Sequence, residues 1–127
     1  MINDIANNFL AICKQNFIDK ITPANASNNS KSGYIELVKI AQEYFNRGAY
    51  EEFSGFLTEG QYFVSLWAAH LLLEYGKPDK LIFYRSLGTI IDYSENPLAI
   101  DVAKEEKIWL NSVDLIVRHS SSFRSKL

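Results

Sequence analysis

Tyr62-Phe-Val-Ser-Leu-Trp-Ala-Ala-His-Leu-Leu-Leu-Glu-Tyr75 is the stretch on which the reading of this chain turns. Set on a helix, it is apolar almost all the way round, with Ser65, His70 and Glu74 the interruptions. A helix without a polar face has to be wrapped by other elements. The pair Ala68-Ala69 admits neighbouring backbones closely, while Trp67 and the leucines supply the burial.

The segments on either side read as the wrapping. A first helix is expected from about Asn3 to Ile21, ended by Thr22-Pro23, because a residue before proline leaves the helical region. Residues 23–33 are polar and aperiodic and are expected to form a flexible loop. A second helix is expected from about Tyr34 to Arg47, with Ile35, Val38, Ala41, Tyr44 and Phe45 inward. It ends at Gly48, a residue suited to the left-handed position that closes helices. A short helix follows from Tyr50 to Leu57, and the central helix is expected to close at Gly76 in the same way. Pro78 then introduces a helix to Ile91 with Leu81, Tyr84, Leu87, Ile90 and Ile91 buried and Gly88 at a close crossing. Asn96-Pro97 opens a last helix to His119, burying Leu98, Val102, Trp109, Val113 and Ile116, and a frayed tail follows. No segment alternates with period two, so the fold class is all-α, about six helices in a single domain spanning residues 1–127.

Composition narrows the functional classes. Apolar residues make up 47% of the chain, ordinary for a globular domain. The nearly apolar run from Phe63 to Leu73 is too short for a membrane span. No basic segment followed by a hydrophobic run opens the chain, so a cytoplasmic protein is expected. The single cysteine, Cys13, excludes an internal disulfide and falls among apolar neighbours as a small core residue. Net charge is only −2, but residues 34–76 carry six acids against Lys39 and Arg47. Residues 92–117 carry six more against Lys104 and Lys107. Two acidic blocks disfavour nucleic acid and suit a basic partner.

The chain also repeats itself. A shift of 28 positions lays Gly48 on Gly76, Phe53 on Leu81, Phe56 on Tyr84 and Gly60 on Gly88. Helix, glycine, short turn, helix is thus written twice, the pattern of stacked helical hairpins; an irregular helical bundle is the alternative. The spacing Val64-x-x-x-Ala68-Ala69-x-x-Leu72 resembles the second helix of HEAT-type repeats, although Ser65 stands where those repeats commonly carry arginine. Leu66-Trp67-Ala68-Ala69 is similar to the core stretch of small bacterial HEAT-like proteins of unassigned function. Some small helical proteins of this size are immunity proteins that neutralise bacterial toxins. The resemblance implies a HEAT-like solenoid that binds another protein.

Catalytic sets are not visible. His70 and Glu74 stand at i, i+4, but a metal site needs a third ligand and the other histidine is His119 near the chain end. His70 is expected to be a packing residue satisfied by Glu74 or backbone. The paired acids Glu51-Glu52 and Asp101, Glu105 and Glu106 lie on what read as polar helix faces, where general acid–base chemistry lacks the desolvated partner it needs. There is no glycine-rich phosphate loop and no nucleophile elbow, and Ser120-Ser-Ser122 beside His119 lacks an acid partner. No cofactor or metal is expected. The aromatics near helix ends, Tyr34, Tyr50, Tyr62 and Tyr93, offer contact area beside carboxylates. The expected partner-binding residues are therefore Glu51, Glu52, Glu59, Tyr62, Tyr93, Glu95, Asp101, Glu105 and Glu106. The expected function is an immunity protein occluding a basic, nuclease-type toxin, with a structural or adaptor repeat protein as the alternative.

Overall fold

The computed structural model describes residues 2–119, with side chains described for residues 4–113. Ile116, the ring of His119 and the tail beyond it, about which the sequence raised expectations, lie outside those side chains. Helix is the regular structure of the described residues: α1 (Ile2–Ile18), α2 (Ser32–Asn46), α3 (Tyr50–Ser54), α4 (Val64–Tyr75), α5 (Lys80–Ser94) and α6 (Ile100–His119). Short 3-10 turns occupy Ala26–Asn28, Gly55–Thr58 and Gln61–Phe63. The six helices pack against one another as an all-α protein, and no described helix is long and apolar enough to cross a membrane.

The all-round apolar character of α4 has its expected consequence. Every residue from Val64 to Leu72 is buried, Ser65 and His70 included. Each large apolar side chain removed from water in this way contributes roughly 1.5–3 kcal/mol before chain entropy is charged against it. Beside α4, five rings from α1, α2, α3 and the 3-10 turn after α3 pack together. Phe9 stacks on Phe56 at 4.4 Å, and Phe53 meets Phe9, Tyr44, Phe45 and Phe56 edge-on at 5.1–5.4 Å.

Two helix ends are closed alike, 28 residues apart, and a third is not. Gly48 takes a left-handed φ of 72°, with its N–H donating to Phe45 O and that of Ala49 to Tyr44 O. This double bond pattern satisfies the last carbonyls of α2. The end of α1 is built identically, with Lys20 at φ 60° and the N–H groups of Lys20 and Ile21 donating to Phe17 O and Asn16 O. The helix therefore stops at Ile18, before Thr22-Pro23, and the capping position lies 28 residues before Gly48. Gly76, a further 28 on, closes α4 differently. Its backbone is extended, with φ −107° and ψ 176°, and a Cβ there would lie 3.0 Å from Leu72 O and Tyr50 Cε1. Glycine is needed at 76 for close approach, and at 48 for its dihedral.

Several expectations are corrected. α5 begins at Lys80, capped by Asp79, whose carboxylate accepts from Ile82 N at 2.9 Å. Its buried face is Ile82, Ser86, Ile90 and Ser94, while Leu81, Tyr84 and Ile91 point outward and Leu81 is 69% exposed. No atom lies within 4 Å of a Cβ placed on Gly88, so no close crossing occurs there. α6 starts at Ile100 instead of Pro97, because the Asn96 side chain accepts from Leu98 N and holds a turn; Leu98 is 93% exposed. Ile35 is exposed on α2, and Leu37 and Ile40 are buried instead.

The segment between α1 and α2 is tied down at several points. Asn25 caps the 3-10 turn through Ser27 N, and Asn28 is buried, donating to Thr22 O at 3.2 Å. The excursion leaves and returns at one place, where buried Asn16 donates to Gly33 O at 3.3 Å.

Candidate functional site

Two places concentrate polar chemistry: a buried histidine, and an exposed edge beside α1. His70 sits in the middle of the wrapped helix α4, only 2% exposed. A buried imidazole needs partners for both nitrogens. Glu74, one turn on, lies 2.7 Å from Nδ1, and Glu106 from α6 lies 2.7 Å from Nε2. The Trp109 ring meets the imidazole edge-on at 4.5 Å. Glu106 is completely buried, and its second oxygen, Oε2, has no hydrogen-bond partner.

An imidazole facing a carboxylate at each nitrogen satisfies both bonds when both nitrogens carry protons. Burial by itself pushes the His70 pKa down, but the hydrogen bonds to Glu106 and Glu74 and their charges outweigh it, and the pKa is raised. The two acids thus favour the protonated form of the ring. With both nitrogens engaged and the ring closed off, this trio is arranged for fastening α6 to α4. Among the described residues no group of three His, Cys, Asp or Glu side chains is placed to hold a metal ion. Cys13 is fully buried, and burial pushes its thiol pKa far up, which keeps it protonated.

The exposed edge begins on α3. Glu51 and Glu52 are exposed there, and the following 3-10 turn carries the chain on to exposed Glu59. Glu51 and Glu52 thus precede the 3-10 turn Gly55–Thr58, and Glu59 follows it on extended backbone, all three exposed. Immediately beyond, Tyr62 and Phe63 both take left-handed backbone, with φ 52° and 57°. Two consecutive non-glycine residues in this region cost about 1–2 kcal/mol each. The turn is held by Ser65 N donating to Glu59 O at 2.9 Å and by three rings: Phe63 lies against Phe17 at 5.3 Å and Tyr93 at 5.9 Å.

The strained turn leaves Tyr62 outward. Its ring meets Phe17 edge-on at 5.5 Å and lies under the Lys14 ammonium at 5.7 Å. Phe17 is itself exposed. Tyr62, Glu59 and Lys14 line a cleft of about 210 Å3 floored by Leu10, Ala11 and Val64. Phe17 and Lys14 belong to this edge although neither was a candidate from sequence. What turns Phe17 outward is its place in the last turn of α1, beyond the aromatic cluster. Lys14, three residues earlier on the same helix, carried no signal by itself.

The remaining candidates fall elsewhere. Glu95 and Asp101 are exposed at the α5–α6 junction, where Glu95 shares a second cleft with Ile100, Lys104 and Lys107. Tyr93 is half-buried, its hydroxyl paired with that of Ser65 at 3.1 Å, so it props the Phe63 turn. Glu105 accepts from Thr22 Oγ1 at 2.7 Å and Asn25 Nδ2 at 3.1 Å, holding the loop after α1. Glu106 is corrected outright: it is buried against His70 and takes no part in an exposed surface. Tyr50 and Tyr34 are likewise structural, Tyr50 stacking on Phe45 at 4.8 Å and Tyr34 pairing its hydroxyl with that of Tyr75 at 2.8 Å. No protein-family model matches the chain, and no curated protein or solved structure is significantly similar to it.

Proposed function

We propose that the chain is a non-enzymatic binding module, a small HEAT-like helical repeat whose acidic, aromatic-tipped edge engages a basic protein. Its most specific form is a cytoplasmic immunity protein that neutralises a bacterial toxin, of nuclease type, by covering the toxin's substrate groove. The observation that carries this reading is Tyr62, a large aromatic presented to solvent by strained backbone at the end of a carboxylate-bearing run. Strain of this kind persists where the surrounding structure enforces it, and it concentrates at working surfaces. Tyrosine is also among the residues that dominate binding energy at protein interfaces. Glu51, Glu52 and Glu59 would steer a cationic partner onto this edge and raise the association rate more than the final affinity. A nuclease must be basic to hold its own substrate, which makes it a partner of the required charge.

The test is co-purification with a toxin encoded beside this chain, followed by titration of the purified pair at rising salt. Tyr62→Asn, which keeps a residue tolerant of left-handed backbone, is expected to weaken binding at least tenfold. The triple reversal of Glu51, Glu52 and Glu59 to lysine should slow association and flatten its salt dependence. Full affinity and an unchanged salt response in both variants would rule out this edge as the binding surface.

A further inference from the structure

α5 turns to solvent a face that shares no residue with the Tyr62 edge. Its buried side is Ile82, Ser86, Ile90 and Ser94. At about 100° of turn per residue, Gly88 stands directly opposite the middle of that side, and a Cβ there would meet no atom within 4 Å. Around Gly88 lie the exposed apolar side chains of Leu81, Tyr84 and Ile91 and two exposed charges, Arg85 and Asp92. By the same count Tyr84 and Ile91 fall to one side of the Gly88 line, and Arg85 and Asp92 to the other. We propose that this face is the contact surface of a homodimer, in which α5 pairs antiparallel with α5 of a second copy about a two-fold axis at Gly88.

The occupant is a second copy because the face complements itself when reversed. Arg85 and Asp92 are separated by two turns, about 10.5 Å along the helix, too far to pair with each other. Neither makes an ion pair among the described residues. A two-fold axis between antiparallel helices keeps each side of one helix beside the same side of the other and reverses its direction. Arg85 then meets Asp92 of the second copy, and Asp92 meets its Arg85. On the other side Tyr84 and Ile91 exchange in the same way. The point half-way between 84 and 91 and the point half-way between 85 and 92 both fall within one residue of Gly88, so one axis serves both pairings. The missing side chain at that point lets the two backbones draw together. A parallel pairing would instead set Arg85 against Arg85 and Asp92 against Asp92. The apolar contacts supply most of the attraction, and the ion pairs fix direction and register, because exposed ion pairs contribute little energy. Closed two-fold dimers are also the commonest oligomers. A helix of 15 residues, about 22 Å long, falls short of the roughly 800 Å2 per partner of a standard interface, so the dimer is weak and forms as concentration rises.

The experiment is sedimentation equilibrium of the intact chain from about 10 μM to about 1 mM, together with four variants at exposed positions whose folding is checked by urea midpoints. The weight-average mass should rise from the 14.5 kDa of one chain towards twice that value. Arg85→Glu and Asp92→Lys each place two like-charge pairs across the axis, and each should weaken association about tenfold or more. The exchange of both, Arg85→Glu with Asp92→Lys, rebuilds the two ion pairs and should bring the dissociation constant back to within about threefold of the parent value. Ile35→Lys, at an exposed apolar position on α2, should leave association unchanged. A chain that stays monomeric at the highest concentration, single reversals without effect, or a double exchange that fails to restore association would overturn the proposal. Loss of the dimer in Ile35→Lys would do the same.

Discussion

The hydroxyl of Tyr50 accepts a hydrogen bond from the backbone N–H of Lys77 at 2.8 Å, joining the start of α3 to the chain just after α4. The same ring stacks on Phe45 and lies over Gly76, where a Cβ would sit 3.0 Å from Tyr50 Cε1 and 3.1 Å from Phe45 Cε2. A tyrosine, a phenylalanine and a glycine from three successive segments thus form one joint. Tyr50→Phe should cost about 1 kcal/mol, the worth of one hydrogen bond. Gly76→Ala should cost about 1–3 kcal/mol, because backbone and two rings must give way. Chemical denaturation of the two variants checks both values.

Trp67 is the largest of the fully buried side chains. Trp67→Ala should cost about 3–5 kcal/mol, a large part of the stability of any domain of this size. Urea midpoints will show it. Tyr62→Asn, by contrast, trades ring contacts of about 0.5–1.5 kcal/mol for relief of left-handed strain of similar size. Its denaturation midpoint should stay close to that of the parent chain.

His70→Ala should destabilise by about 3–5 kcal/mol, since it strands the buried carboxylate of Glu106. Replacing both partners, as His70→Leu with Glu106→Met, should recover most of that loss, because an apolar pair of similar volume has no charge to bury. Only the parent chain should then lose stability as pH rises through the folded pKa of His70. Unfolding free energies measured across the neutral-to-alkaline range in both proteins test the sign.

Cys13 has no exposed surface and a thiol held in its protonated form. A disulfide-exchange reagent should therefore label it only at the rate at which α1 opens. Labelling should accelerate several-fold on adding sub-denaturing urea. Rapid labelling of the native chain would show that α1 is packed otherwise.

The all-α class and the wrapped central helix were legible because α4 is apolar on every side, a pattern with one structural solution. The face of α5 was not, and the reason is specific. Ser86 and Ser94 are buried because each hydroxyl donates to a carbonyl in the preceding turn, Ser86 to Ile82 O at 2.8 Å and Ser94 to Ile91 O at 2.6 Å. Serine that satisfies itself locally behaves as a small core residue, so a stripe drawn through Leu81, Tyr84 and Ile91 was turned away from the true one. Glu106 departs from its expected exposed face for the same reason, since a polar side chain with a buried partner is itself buried. The clue was available in His70: a histidine inside a fully wrapped helix needs two partners, and its own helix provides only Glu74. The edge around Tyr62 was half legible. Its carboxylates and tyrosine stood out, whereas the left-handed turn that presents them depends on contacts with Phe17 and Tyr93 from distant segments.

The contact between Asn16 and Gly33 has one more consequence. Because the chain departs from α1 and re-enters at α2 through the same point, the covalent link between them carries little of the architecture. Asn29, Ser30 and Lys31 are exposed at the far side of that excursion. A single cleavage there would divide the protein into an α1 peptide and a five-helix remainder. Phe9 and Cys13 would still be seated in the remainder. The two pieces should stay associated after cutting and should reassemble when mixed from separate syntheses, which would make α1 a replaceable part.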